Sequence, residues 1–425
     1  MTAPFRGLAP VRQVLDNGAV VIAKESPTTP AVTLHATFTA GTVFDPEGLL
    51  GLAHFVSRTI DRGTRTRDAD QIAEELDSRG VSLSVNVNRH VISLICTCLI
   101  EDIEVMLALL ADIATQPVFP DSEVQNRRGE IITLIRQDED NPAAVANEGM
   151  LAALYGETHP YGTRPRGSVE TVERIDRAAL QRFHAERFRP ASLSLVMVGE
   201  VAPDRAIAAA EAAFGGWREP PAEPLDLVAV PPAAHRTVRV VPMMNKAQAD
   251  IAYGFTSVRR ADPSYYASWL MNNILGQYSL GGRLGESIRE RQGMAYYVFS
   301  ALDANLIPGP LMIRAGVSPA NVERAIASID EELAKIAAEG PTEKELAESK
   351  QYLIGSMPRT LETNLGIANF IQTEEFFKLG LDYDVRVPGL LQAVTRAEVH
   401  EVARRTLDPS RATVVVAGPY TGQPT

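Results

Sequence analysis

The chain has 425 residues, 45% of them hydrophobic and 22% charged, with 41 basic side chains against 53 acidic ones and a formal charge of −12. That composition can fill large cores, and the length predicts two or three domains at roughly one per ~150 residues. It argues against a nucleic-acid binder, which needs clustered Lys and Arg, and no apolar run approaches the ~20 residues of a membrane span. The stretch from Met1 to Gly18 has no apolar signal-peptide core, so the expected location is cytoplasmic, with export left to a signal lying upstream.

In chain order, apolar and polar residues alternate at 32–38, 81–87 and 91–99, which predicts three strands. Cys96 and Cys98 are the only cysteines, and at i, i+2 they share one side of the third strand. This spacing disfavours a mutual disulfide and supplies too few ligands for a zinc ribbon, so both read as buried structural residues. The apolar-rich helices near 105–113 and 325–337 read as core elements with no membrane role.

The sequence also repeats itself. Phe38-Thr39 precedes Asp45-Pro46, and Phe255-Thr256 precedes Asp262-Pro263 at a constant offset of 217. The segment 175–199 aligns without gaps to 394–418 at offset 219, with Arg177/Arg396, Ala178/Ala397, Pro190/Pro409, Val196/Val415 and Gly199/Gly418 identical. Each copy reads as an amphipathic helix, an x-Pro break and an apolar strand ending in Gly. A duplicated domain follows, with lobes at 1–218 and 237–425 joined by a Pro-rich linker at 219–236. Strands and helices come in runs, so the expected class is α+β: two homologous lobes, each an antiparallel-rich sheet packed with helices, facing each other across a cleft.

The segment 48–64, GLLGLAHFVSRTIDRGT, resembles the signature helix of the pitrilysin/insulinase zinc peptidases, most closely the mitochondrial processing peptidase subgroup. In that family an H-x-x-E-H motif places two His ligands one turn apart with the general-base Glu between them, and a later helix adds a carboxylate. Here His54 holds the first position, Ser57 replaces the Glu and Arg58 replaces the second His. Aligning the family's E-x-x-x-x-x-x-E helix on Asp140-Asn141-Pro142 puts Arg127 and Leu134 at the two glutamate positions. Arg offers no lone pair and Leu no oxygen, so no metal is expected in this chain and no peptide hydrolysis by it alone. A Ser57–His54 nucleophile without an orienting acid is a poor alternative, and His54 reads as a retained packing or hydrogen-bonding residue.

The second lobe carries the same resemblance. Residues 272–300, NNILGQYSLGGRLGESIRERQGMAYYVFS, are similar to the family's N-x-x-L-G, S-R-L and I-R-E-x-x-G-x-A-Y elements, with Gly282 in place of the Ser. Gly276, Gly281, Gly282 and Gly285 lack a following G-K-[ST], so this is a turn and no phosphate loop. The resemblance makes Arg289 and Tyr296 substrate-binding residues, aimed in active relatives at the scissile carbonyl. Gly293 would end the helix bearing Arg289 and start the strand bearing Tyr296. What the resemblance implies is the zinc-less subunit of a heterodimeric metallopeptidase. It would bind peptide substrates and donate Arg289 and Tyr296 in trans to a homologous partner that holds the Zn. The alternatives are a structural scaffold subunit and a stand-alone peptide-binding protein.

Overall fold

The alternating runs pair as their periodicity predicts. The computed structural model describes residues 7–277 and 281–422. Strands β1 (Val11–Val14), β2 (Val20–Glu25), β3 (Ala31–Phe38), β4 (Ser84–Val87), β5 (Ile92–Leu99) and β6 (Leu193–Gly199) form one sheet in the order β1-β2-β6-β3-β5-β4. Strands β7 (Thr237–Pro242), β8 (Ala249–Thr256), β9 (Ala295–Leu302), β10 (Pro310–Val317) and β11 (Thr413–Gly418) form a second in the order β7-β11-β8-β10-β9. All pairings are antiparallel except β2 with β6 and β7 with β11. The two orders superpose position by position once β1 is set aside, so the sequence repeat is a repeat of sheets. The α+β class with two homologous sheet-and-helix domains is therefore observed.

The identities within the repeat have physical causes. Gly199 and Gly418 end β6 and β11 at φ 157° and 141°. A Cβ there would strike the backbone of Ala31 or of Ala249, the first residues of β3 and β8. The preceding helices, Arg177–Arg187 and Arg396–Thr406, are N-capped by Asp176 and by a Thr395–Glu398 capping box. Pro190 and Pro409 then open single 3₁₀ turns that lead into the strands. Residues 219–232 have no regular structure and are mostly exposed, as a proline-rich linker should be.

Two compact units emerge, and neither is continuous in sequence. One holds the chain through Ile135, Arg164–Leu225 and Met357–Val385; the other holds Arg136–Thr163, Asp226–Ser356 and the chain from Arg386. A single cut at 219–236 parts the two sheets, while the helices covering them are drawn from both sides of it. Helix Pro142–Tyr155 packs on β8 and β11. Helix Asn364–Phe376 packs on β3 and β6, burying Ile367, Ala368 and Ile371 against Ile22, Val196 and Val198. Gln372 fixes that second helix by donating from Nε2 to the carbonyls of His35 at 2.7 Å and Ser194 at 2.9 Å. Arg12 adds a two-pronged bond to Glu375 at 2.9 and 3.1 Å.

Cys96 and Cys98 are free and buried on one side of β5, and burial pushes each thiol up to about 12. Among the described residues no helix is long and apolar enough to cross a membrane.

Candidate functional site

Each unit carries one set of the residues singled out by sequence. In the first, helix Leu52–Thr59 begins at Gly51, whose φ of 94° only glycine adopts easily. Asp45, from the repeated Asp-Pro pair, accepts from the amides of Gly51 at 2.8 Å and Ala53 at 2.7 Å. Burial pushes its carboxyl up to about 7, and the amides of Ala53, Gly51 and Leu52 pull the other way. This fixes the start of the helix that carries His54, Ser57 and Arg58.

Ser57 is buried and its Oγ donates to the His54 carbonyl at 2.7 Å, so the hydroxyl is engaged by its own helix. His54 is half-buried on the same turn. Arg58 Nη2 lies 3.8 Å from Glu130 of helix Asp121–Glu139. Arg127, one turn earlier on that helix, donates from Nη1 to both Glu130 oxygens at 2.7 Å and lies 3.6 Å from Glu123. Asp61 completes the cluster 3.2 Å from Arg62. Burial raises the Asp61 carboxyl, while Arg62, Arg127 and Arg58 attract its charged form.

Where the resemblance places zinc ligands, the chain has built an Arg–Glu–Arg ion cluster. The donor set is one imidazole, two guanidiniums and the half-buried aliphatic Leu134, and it does not fit a zinc ion. Arg58 and Glu130 are 42% and 47% exposed, so their pair is worth only ~0–1 kcal/mol. Sequence reasoning missed Glu130 and Asp61. Glu130 stands three residues after Arg127 on one helix, a spacing that brings side chains together, whereas Asp61 lies past the end of its helix beside Arg62.

Beside the motif helix runs β4, an edge strand that among the described residues pairs with β5 alone. Ser84, Val85 and Asn86 of this edge, with Arg58, Asp61 and Arg62, line a groove of about 270 Å³. An edge of this kind is a template for an added strand.

In the second unit a π-helical segment, Gly285–Arg291, carries Arg289. Such segments recur at functional sites. It closes at Gly293, φ 61°, with Gly293 N–H on the Arg289 carbonyl at 3.0 Å and Met294 N–H on that of Ile288 at 3.1 Å. The chain then enters β9, also an edge strand and the counterpart of β4. The expected role of Gly293 is met. Arg289 is exposed and Tyr296 is 62% exposed. Among the described residues neither side chain has a hydrogen-bond or ion-pair partner. Residues 278–280 of the family-like segment lie outside the described residues.

Tyr297, on the other face of β9, was not singled out by sequence. Its Oη donates to Asp250 of β8, and the ring crosses Gly316 of β10 to reach it. Burial and this bond both raise the phenol. The row anchors the edge strand from which Tyr296 projects.

The family model Insulinase (Peptidase family M16) matches residues 20–163, and that of the Peptidase M16 inactive domain matches residues 174–353. The chain belongs to peptidase family M16. Among its M16 relatives, an uncharacterized zinc protease of Streptomyces coelicolor is 26% identical over 97% of this chain and 90% of its own length. One from Bacillus subtilis is 26% identical over 83% of this chain and 84% of its own. A crystal structure described as a peptidase M16 inactive domain from Pseudomonas fluorescens matches with TM-score 0.91 and 24% identity, covering 98% of this chain and 99% of that one. A protease from Helicobacter pylori matches with TM-score 0.90 and 16% identity over 97% and 100% of the two chains. This M16 chain therefore keeps the family fold around both sheets.

Proposed function

We propose that this chain is the non-catalytic subunit of a heterodimeric zinc peptidase, binding no zinc itself and presenting Arg289 and Tyr296 to peptide held at a homologous partner's metal site. The observation that carries this reading is a contrast. The metal-motif positions are occupied by an arginine–glutamate ion cluster, whereas Arg289 and Tyr296 are held by a glycine-closed turn and an anchored edge strand and have no hydrogen-bond or ion-pair partner among the described residues. Two such donors converging on a scissile carbonyl both position the peptide and stabilise the charge that develops on its oxygen. The partner supplies the zinc and the general base. A scaffold subunit would have no reason to keep Arg289 and Tyr296 together in a family-like I-R-E-x-x-G-x-A-Y frame.

A fluorogenic-peptide assay of this chain, of a zinc-bearing homologue from the same genome and of the two mixed tests the reading. Cleavage by the mixture alone, stopped by chelation, is expected. Equal activity of the homologue by itself rejects donation in trans.

The groove along β4 favours a second reading, a peptide-binding protein acting alone. It predicts saturable binding of an extended fluorescent peptide without any partner, and loss of that binding when a proline enters β4.

A further inference from the structure

A second polar pocket lies in the unit built around β8, away from Arg289 and Tyr296 in sequence. It encloses about 90 Å³ at the end of β8, where Thr256 and Ser257 meet Arg405, Arg411 and the linker residues Pro232 and Ala233. Thr256 is 7% exposed, and among the described residues neither its Oγ1 nor the Oγ of Ser257 has a hydrogen-bond partner. A buried hydroxyl without a partner costs ~1–3 kcal/mol, so two beside one cavity call for an occupant.

The lining defines that occupant's charge. Arg411 donates through Nε to the Ala233 carbonyl at 2.8 Å, and Arg405 donates through Nη2 to Ser264 Oγ at 2.8 Å. The remaining guanidinium N–H groups have no partner among the described residues. One acid lines the pocket, Asp408, and its Oδ1 is taken by the amide of Ser410 at 3.0 Å and its hydroxyl at 2.7 Å. Two cations and two hydroxyl donors against one carboxylate, itself occupied through Oδ1, favour an anion with several acceptor oxygens.

The internal repeat supports a site acquired by this copy. In the first copy the positions of Arg405, Arg411 and Ser257 are held by Glu186, Ser192 and Ala40. There Phe38, the counterpart of Phe255, stacks on Phe188 at 4.6 Å and meets Trp217 edge-on at 6.3 Å. In the second copy Leu407 replaces that stacking phenylalanine, and a polar cavity lies against Phe255.

We propose that this pocket binds a small tetrahedral oxyanion, inorganic phosphate or sulfate, between Thr256, Ser257 and the two arginines. Its volume of about 90 Å³ is ample for one such ion.

The test is calorimetry and thermal unfolding of the full chain in phosphate, sulfate, acetate and chloride at matched ionic strength. Saturable binding of phosphate or sulfate is expected, together with slower amide exchange at Ala233. The double variant Thr256→Val/Ser257→Ala should weaken binding at least tenfold. Arg405→Gln, at an exposed position, should weaken it as well and guards against a double variant that fails to fold. A phosphate effect no larger than that of chloride, acetate binding as tightly as phosphate, or undiminished binding by both variants overturns the proposal.

Discussion

Replacing Gly316 by alanine tests how the edge strand bearing Tyr296 is held. Gly316 pairs with Asp250 on one side and Tyr297 on the other. A Cβ there would lie 2.5 Å from Tyr297 Cε1 and 3.0 Å from Cδ1. The ring must move, and in moving it gives up its bond to Asp250. That carboxylate is 2% exposed and would keep only Gln248, at 3.0 Å. Overpacking costs about 1–3 kcal/mol and loss of a hydrogen bond to a charged group about 1.5–3, so Gly316→Ala should destabilise this unit by about 3–5 kcal/mol. Tyr297→Phe keeps the ring and should cost only about 1.5–3 kcal/mol. In a Tyr297→Ala background the sign should reverse, because alanine in a strand is then better than glycine by about 0.5–1 kcal/mol. Trp217 and Trp269 are the only tryptophans and lie one in each unit, so urea unfolding of a Trp217→Phe chain reads this unit alone. A cost below about 1 kcal/mol, or the same cost with the ring removed, would refute the packing argument.

Other consequences follow from the same structure. In an active mixture with the zinc-bearing homologue, Arg289→Ala should leave co-elution unchanged and lower kcat by about 100- to 1,000-fold, the range for removing one donor to a developing oxyanion; near-normal turnover rejects the role. The combined substitutions Ser57→Glu, Arg58→His, Arg127→Glu and Leu134→Glu should give a chain that retains stoichiometric zinc by elemental analysis where the parent does not. Equal zinc in both would contradict the donor-set reading. Burial lowers His35 and His90 from 6.5 to about 4, so between these values the unfolded chain takes up protons that the folded chain refuses. The first unit should therefore lose stability as pH falls through that window, by up to about 3 kcal/mol per histidine. Asp45, raised from 3.8 to about 7, acts in the opposite sense and binds its proton more tightly when folded. Asp45→Asn should thus steepen the acid loss in urea titrations at pH 7 and 5 read by Trp217; a flat or reversed profile rejects the assignment.

Much of this was legible in the sequence where the governing interaction is local. Period-two alternation placed β3 and β5, and the repeat placed β6 with β11 and their capped helices. Gly293 announced the turn between Arg289 and Tyr296. The ion cluster was half legible: Arg127 and Glu130 share a helix, but Arg58 meets Glu130 only through packing of two helices. Tyr297 was hidden for a similar reason. Alternation puts it opposite Tyr296, yet its partner Asp250 lies two strands away, and only the order β8-β10-β9 brings them into one row. The swapped helices were beyond a self-comparison, which pairs equivalent positions and says nothing about which sheet a helix covers.

That swap bears on how the protein is made. The first sheet is complete once β6, ending at Gly199, has been synthesised, but the helix that covers one of its faces runs from Asn364 to Phe376. At a synthesis rate of about 5–20 residues per second the nascent first unit waits roughly 10–40 seconds with Ile22, Val196 and Val198 uncovered. The first half of the chain therefore leaves the ribosome as an unfinished body, with one sheet face uncovered until the helix Asn364–Phe376 emerges. Expressing the two sequence halves separately would make that delay permanent.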